Sequence, residues 1–115
     1  MEGFLREEEM RQFVEQALTA VRSLGAQGRE VRVLADMSRL RTASPEAAAL
    51  LQWGQAEALR LGLKRIAEIV GSELTTLQLN RIARGSGMDR ILRRFQNTAE
   101  ARRWLIEGTE TLGAA

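Results

Sequence analysis

Three short strand-like runs, VRVLADM, RIAEIVG and DRILRRF, alternate along this chain with segments long enough and amphipathic enough to be helices. That alternation constrains the fold more than any other feature. Parallel strands need a crossover of a dozen or more residues, and a helix is the usual one. The pattern predicts an α/β layered domain of about three parallel strands alternating with four helices, with right-handed crossovers. At 115 residues, 44% apolar and 28% charged, the chain has the material for one core and one domain over residues 1–115.

The helical segments have their own signals. In LREEEMRQFVEQALTAVRSLG, residues Met10, Phe13, Val14, Ala17, Leu18, Val21 and Leu24 recur at three- and four-residue intervals. Glu7, Glu8 and Glu9 fall in the first turns, where carboxylates favour the positive end of the helix dipole, and Gly25 is placed to end the helix. A strand is expected over Val31–Asp36, then a polar loop, then a helix announced by Ser44 as N-cap and Pro45 at the first helical position. Its buried face is read as Ala47, Leu50, Leu51, Gly54, Ala58 and Leu61. A second strand is expected over Arg65–Val70, then a helix capped by Ser72 and stopped by Gly85 or Gly87. DRILRRF reads as an edge strand because Arg93 interrupts its apolar positions. The last helix has Asn97 and Glu100 spaced as a capping box and a stripe of Ala101, Trp104, Leu105 and Gly108, with a frayed tail beyond 108.

Composition excludes several chemistries. With no cysteine there is no disulfide, thiol nucleophile or thiolate metal site, and with no histidine the commonest general base and metal ligand is missing. No catalytic residue, metal site or cofactor is assigned. No run of about 18 apolar residues is present to span a membrane, and the acidic start MEGFLREEEM is unlike a signal peptide, so a cytoplasmic location is expected. The net charge is only +2, yet between residues 79 and 106 Arg81, Arg84, Arg90, Arg93, Arg94, Arg102 and Arg103 stand against only Asp89 and Glu100, concentrating positive charge in the last third. Such a patch can bind phosphate backbones. With 4% aromatic residues and no glycine-rich phosphate loop, a solvated arginine face is the preferred reading and nucleic acid is disfavoured.

Four features occur in order: Gly3-Phe4-Leu5 before an acidic helix, VRVLADMSRL with its aspartate, Lys64-Arg65-Ile66-Ala67 leading into a strand, and Phe95 followed by Ala101-x-x-Trp104-Leu105. In that order and spacing the chain resembles the SpoIIAA-like group of small bacterial STAS and SEC14-like domains. The resemblance implies a STAS-like fold and a non-enzymatic, regulatory role in binding other proteins. Two departures stand out. Family members normally begin with one or two strands before the segment matching Gly3-Phe4-Leu5, so an N-terminally truncated domain is expected, with an open sheet edge and pairing as a homodimer or by exchange of elements. The anti-sigma-factor antagonists of this fold carry an Asp-Ser-Ser-Gly-like loop with a phosphorylated serine. Here the matching loop reads Arg41-Thr42-Ala43-Ser44-Pro45-Glu46, and Ser44 is read as a plain N-cap.

Ligands of α/β sheets gather at the C-terminal ends of the strands. That places the candidate binding site at Asp36, Ser38, Arg39, Arg41, Thr42 and Ser44, with a protein partner preferred. Asp36 has no companion base or nucleophile nearby in sequence, which disfavours catalysis. A second reading is a carrier of a small apolar or anionic ligand, with Leu50, Leu51, Trp53 and Leu59 as lining; these are preferred as packing residues. Glu68, in the middle of a strand, is either a buried acid with a raised pKa or, preferred, the partner of an arginine at the sheet margin.

Overall fold

The computed structural model describes residues 6–107. Its elements run α1 (Glu7–Ala26), β1 (Val31–Met37), α2 (Pro45–Arg60), β2 (Leu63–Val70), α3 (Glu73–Ser86), a 3-10 turn (Met88–Arg90), β3 (Leu92–Phe95) and α4 (Thr98–Glu107). The sheet order is β1-β2-β3 and both pairings are parallel, with Ala35 opposite Glu68 and Glu68 opposite Arg94. The expected α/β architecture of three parallel strands and four helices is the observed one.

Alternation along the strands divides the core in two. Val31, Ala35, Met37, Leu63 and Ile66 face α1, α2 and α3, while Ala67 and Ile69 face α4 through Ala101 and Leu105. The first three helices therefore form one layer and α4 forms the other. α1 and α2 approach closely because Gly54 has no side chain: a Cβ there would stand 2.6 Å from Val14 Cγ1. On the α4 side, Phe95 and Trp104 pack with ring centroids 5.8 Å apart, and the Arg65 and Arg93 guanidiniums lie 5.6 and 5.9 Å from the Trp104 ring centre. Arg32 donates to the carbonyls of Leu105 and Ile106, a cation at the negative end of α4.

Several boundaries differ from the sequence reading. α1 continues through Gly25 to Ala26, and the turn is made by Gly28 at φ 78°. β1 extends to Met37 and β2 begins at Leu63. The third strand starts only at Leu92. Met88, 2% exposed, anchors the 3-10 turn before it, and Ile91 N–H donates back to Met88. Ser44, Ser72 and Asn97 each accept a bond from the backbone amide three residues on, and Gly87 at φ 88° stops α3. Gly3-Phe4-Leu5, Gly108 and the tail expected to fray lie outside the described residues.

The helical layer also holds polar groups. Gln55, 6% exposed, accepts from the Ser86 hydroxyl at 2.6 Å. Glu68, 1% exposed, receives Arg94 Nε at 3.2 Å, and Arg94 donates further to Asn80. Glu68 Oε2 and Arg94 Nη2 have no hydrogen-bond partner among the described residues. Removal from water pushes the Glu68 pKa up, opposed by the Arg94 charge. The two readings of Glu68 therefore hold together: it is both paired and buried. The pairing also turns one arginine of the basic last third inward. The rest are split between layers, with Arg81 and Arg84 exposed on α3 and Arg102 and Arg103 exposed on α4.

Candidate functional site

The segment from Ser38 to Ser44 leaves the C-terminal end of β1 and enters α2, and it is tied down from three directions. From α3, the Thr75 hydroxyl donates to the Leu40 carbonyl at 3.3 Å, and the Gln78 amide brackets Ala43, accepting its N–H at 2.8 Å and donating to its carbonyl at 2.9 Å. From α1, Glu9 receives Arg41 Nη2 on both oxygens at 3.0 Å. From the end of β2, Gly71 lies so close that a Cβ there would stand 2.2 Å from the Ser38 carbonyl oxygen. Ser44 Oγ closes the segment by accepting Ala47 N–H at 3.1 Å.

The six sequence-predicted residues do not form one pocket. Asp36 and Ser38 are neighbours, with Asp36 Oδ1 accepting from the Ser38 amide at 3.0 Å and its hydroxyl at 2.6 Å. Arg39 is exposed beside them and contributes to holding the Asp36 charge. Arg41 turns away to Glu9, Thr42 is half-buried, and Ser44 caps α2. The Ser38 hydroxyl, then its amide, keep the Asp36 carboxyl below its usual pKa. A carboxylate stabilised in that way is a weak base and does not activate the serine it holds. Glu9 is held low as well, first by the Arg6 backbone amide and then by Arg41. The arrangement fixes a loop and offers no acid–base pair.

Beyond Gly71 the surface continues into a shallow groove of about 430 Å³ bounded by Ser72, Glu73, Thr76, Leu77 and Gln96. Leu74 and Leu77, 66% and 62% exposed, stand on the first turns of α3 beside it. The sequence reading missed these residues. Gly71-Ser72 at a strand end was the available signal for the groove, whereas nothing local marks Gln78 as the brace of a loop 35 residues away. Gln78→Leu removes both bonds to Ala43 and is expected to cost about 1–3 kcal/mol, read by chemical denaturation.

Elsewhere, an apolar cavity of about 70 Å³ lies between α1, α2 and the sheet, reaching Glu68. Of the four residues read as a carrier lining, Leu51 borders this cavity. Trp53 is instead 52% exposed on the outer face of α2, Leu50 joins it in a groove against α1, and Leu59 is half-buried. Among the described residues no helix is long and apolar enough to cross a membrane, and no three Asp or Glu side chains gather as metal ligands.

In comparison with known protein families, the model described as SpoIIAA-like matches residues 1–106. No curated protein and no solved structure matches the chain.

Proposed function

The chain belongs to the SpoIIAA-like family, and from that membership we propose that it is a non-catalytic regulatory domain that binds another protein through the Arg39–Glu46 loop, the start of α2 and the first turns of α3. Domains of this family are generally regulatory and protein-binding. The observation that carries the reading is the pairing of a braced loop with exposed apolar side chains. Ser38 and Arg39 are exposed on a segment held by Thr75, Gln78 and Glu9, and Leu77 stands exposed across Gly71. A fixed surface loses little conformational freedom when a partner binds, and apolar anchors within a charged rim are the usual composition of a protein interface. The cavity between α1, α2 and the sheet, about 70 Å³, is well below the roughly 150 Å³ that admits benzene. That size favours a protein partner over a small apolar cargo.

The test is quantitative affinity capture with the wild-type chain, the Arg39→Glu/Leu77→Ser variant, and an Arg102→Glu/Arg103→Glu control on α4. The expected result is a set of proteins held by the wild type and the control and reduced about tenfold or more by the site variant. Equal capture by all three, or loss only in the control, contradicts the reading.

A further inference from the structure

β1 is an outer strand of an all-parallel sheet, and among the described residues nothing hydrogen-bonds to the backbone of Val31–Asp36 from the side away from β2. Edges of this kind are normally short, covered, or guarded by proline or charged side chains. This one is seven residues long, lacks proline, and carries one charge of each sign, Arg32 and Asp36.

The helix beside that edge carries a second apolar stripe. Met10, Val14, Leu18 and Val21 are the buried side of α1. Phe13, Ala17, Ala20 and Leu24 form another row at helical spacing that is exposed, Phe13 by 41% and Leu24 by 39%. Phe13 and Ala17 wall the apolar cavity together with Val33, Ala35 and Met37, so this part of the row lies over β1.

The strand is complementary to itself. If two copies of β1 run antiparallel about a twofold axis at Leu34, Leu34 meets its own counterpart, Val33 meets Ala35, Val31 meets Met37, and Arg32 meets Asp36 twice. Arg32, Leu34 and Asp36 share one face of the strand because side chains alternate. Both residues are exposed, and Arg32 would add this contact to the bonds it makes to Glu30 and to the end of α4. Asp36 is positioned for such a contact, since both Ser38 bonds end on Oδ1 and Oδ2 accepts none among the described residues.

We propose that the occupant of this edge is a second copy of the chain, with β1 pairing antiparallel across a twofold axis at Leu34 to give a continuous six-stranded sheet. The exposed α1 rows then face one another across the joint, with Ala17 and Ala20 small enough to allow close approach. The interface is isologous, so every contact occurs twice. It adjoins the Arg39–Glu46 loop at Asp36, which holds Ser38, and its readout, the oligomeric state, is distinct from the partner capture that tests the protein-binding reading above.

Native mass spectrometry and sedimentation equilibrium on the full chain test it. The wild type is expected to dimerise. Arg32→Glu and Asp36→Arg each set two like-charge pairs face to face and should weaken dimerisation about tenfold or more. An equimolar mixture of the two variants should form heterodimers of near wild-type affinity, because every cross-strand pair then joins opposite charges. Leu34→Cys supplies a readout that does not disturb the charges. The chain has no other thiol, and directly opposed strand positions lie within disulfide reach in the closer type of antiparallel pair. Mild oxidation should cross-link Leu34→Cys covalently and leave an Arg102→Cys control without a cross-link. A wild type that stays monomeric at all concentrations, a mixture that gains nothing over its components, or a Leu34→Cys chain that does not cross-link overturns the proposal.

Discussion

Arg94→Met is expected to lose about 3–5 kcal/mol of folding stability at neutral pH, because it leaves the Glu68 carboxylate buried without its cation. Glu68 is 1% exposed and Arg94 Nε is its hydrogen-bond donor among the described residues. The loss should shrink in acid. Burial raises the Glu68 pKa above its ordinary value of 4.5 in the folded chain. Between that value and the raised one, the folded state holds more protons than the unfolded state, so this group's contribution to stability falls as pH rises through the window. It is fully present below 4.5 and gone above the folded pKa. Removing Arg94 takes away the charge that opposed the shift, so the window widens upward. Glu68→Leu/Arg94→Met, which removes both charges, should recover most of the loss, since an apolar pair of similar volume is often as stable as a buried ion pair. Urea denaturation of both variants from acid to neutral pH checks this. A pH-independent loss near zero contradicts the buried pair.

Gly71→Ala is the second large effect. Its Cβ would stand 2.2 Å from the Ser38 carbonyl oxygen, 3.0 Å from the carbonyl carbon and 3.2 Å from Cα, all of them backbone atoms. No rotamer change relieves such a contact, so the Ser38–Ser44 segment must move away from β2, at an expected cost of about 2–4 kcal/mol. Gly25→Ala is the matched control. Gly25 is helical, and the nearest atom to its Cβ is the Leu61 carbonyl oxygen at 3.9 Å, so a gain of about 0.5–1 kcal/mol is expected. Thermal denaturation of the pair should shift in opposite directions. A neutral Gly71→Ala means that the loop is not seated where the structure places it.

What the sequence disclosed, and what it hid, divides along the range of the forces involved. Helix starts at Ser44, Ser72 and Asn97 were legible because an N-cap is satisfied within three residues. The alternation of strands and helices was legible because each element carries its own apolar period. The third strand was read too long: Asp89 and Arg90, taken with Ile91 as its start, belong to the 3-10 turn that the buried Met88 anchors. Gly25 looked like a helix stop, and only the backbone shows that the left-handed position is Gly28. Arg94 was counted in a basic surface. Its pairing with Glu68 depends on the register of β3 against β2, which no local pattern specifies. The candidate site shows the same division. Its location at the end of β1 followed from the fold class, whereas its bracing by Gln78, Thr75 and Glu9 comes from residues more than 30 positions away.

Hydrogen–deuterium exchange on the free chain tests most directly whether that loop is a fixed binding surface. The amide of Ala43 is bonded to Gln78 and that of Leu40 to Met37. Both should exchange much more slowly than those of Arg39 and Thr42 in the same loop, and Gln78→Leu should abolish the protection of Ala43 alone. Uniform, unprotected exchange from Ser38 to Ser44 in the wild type contradicts a preformed site and, with it, the proposed mode of binding.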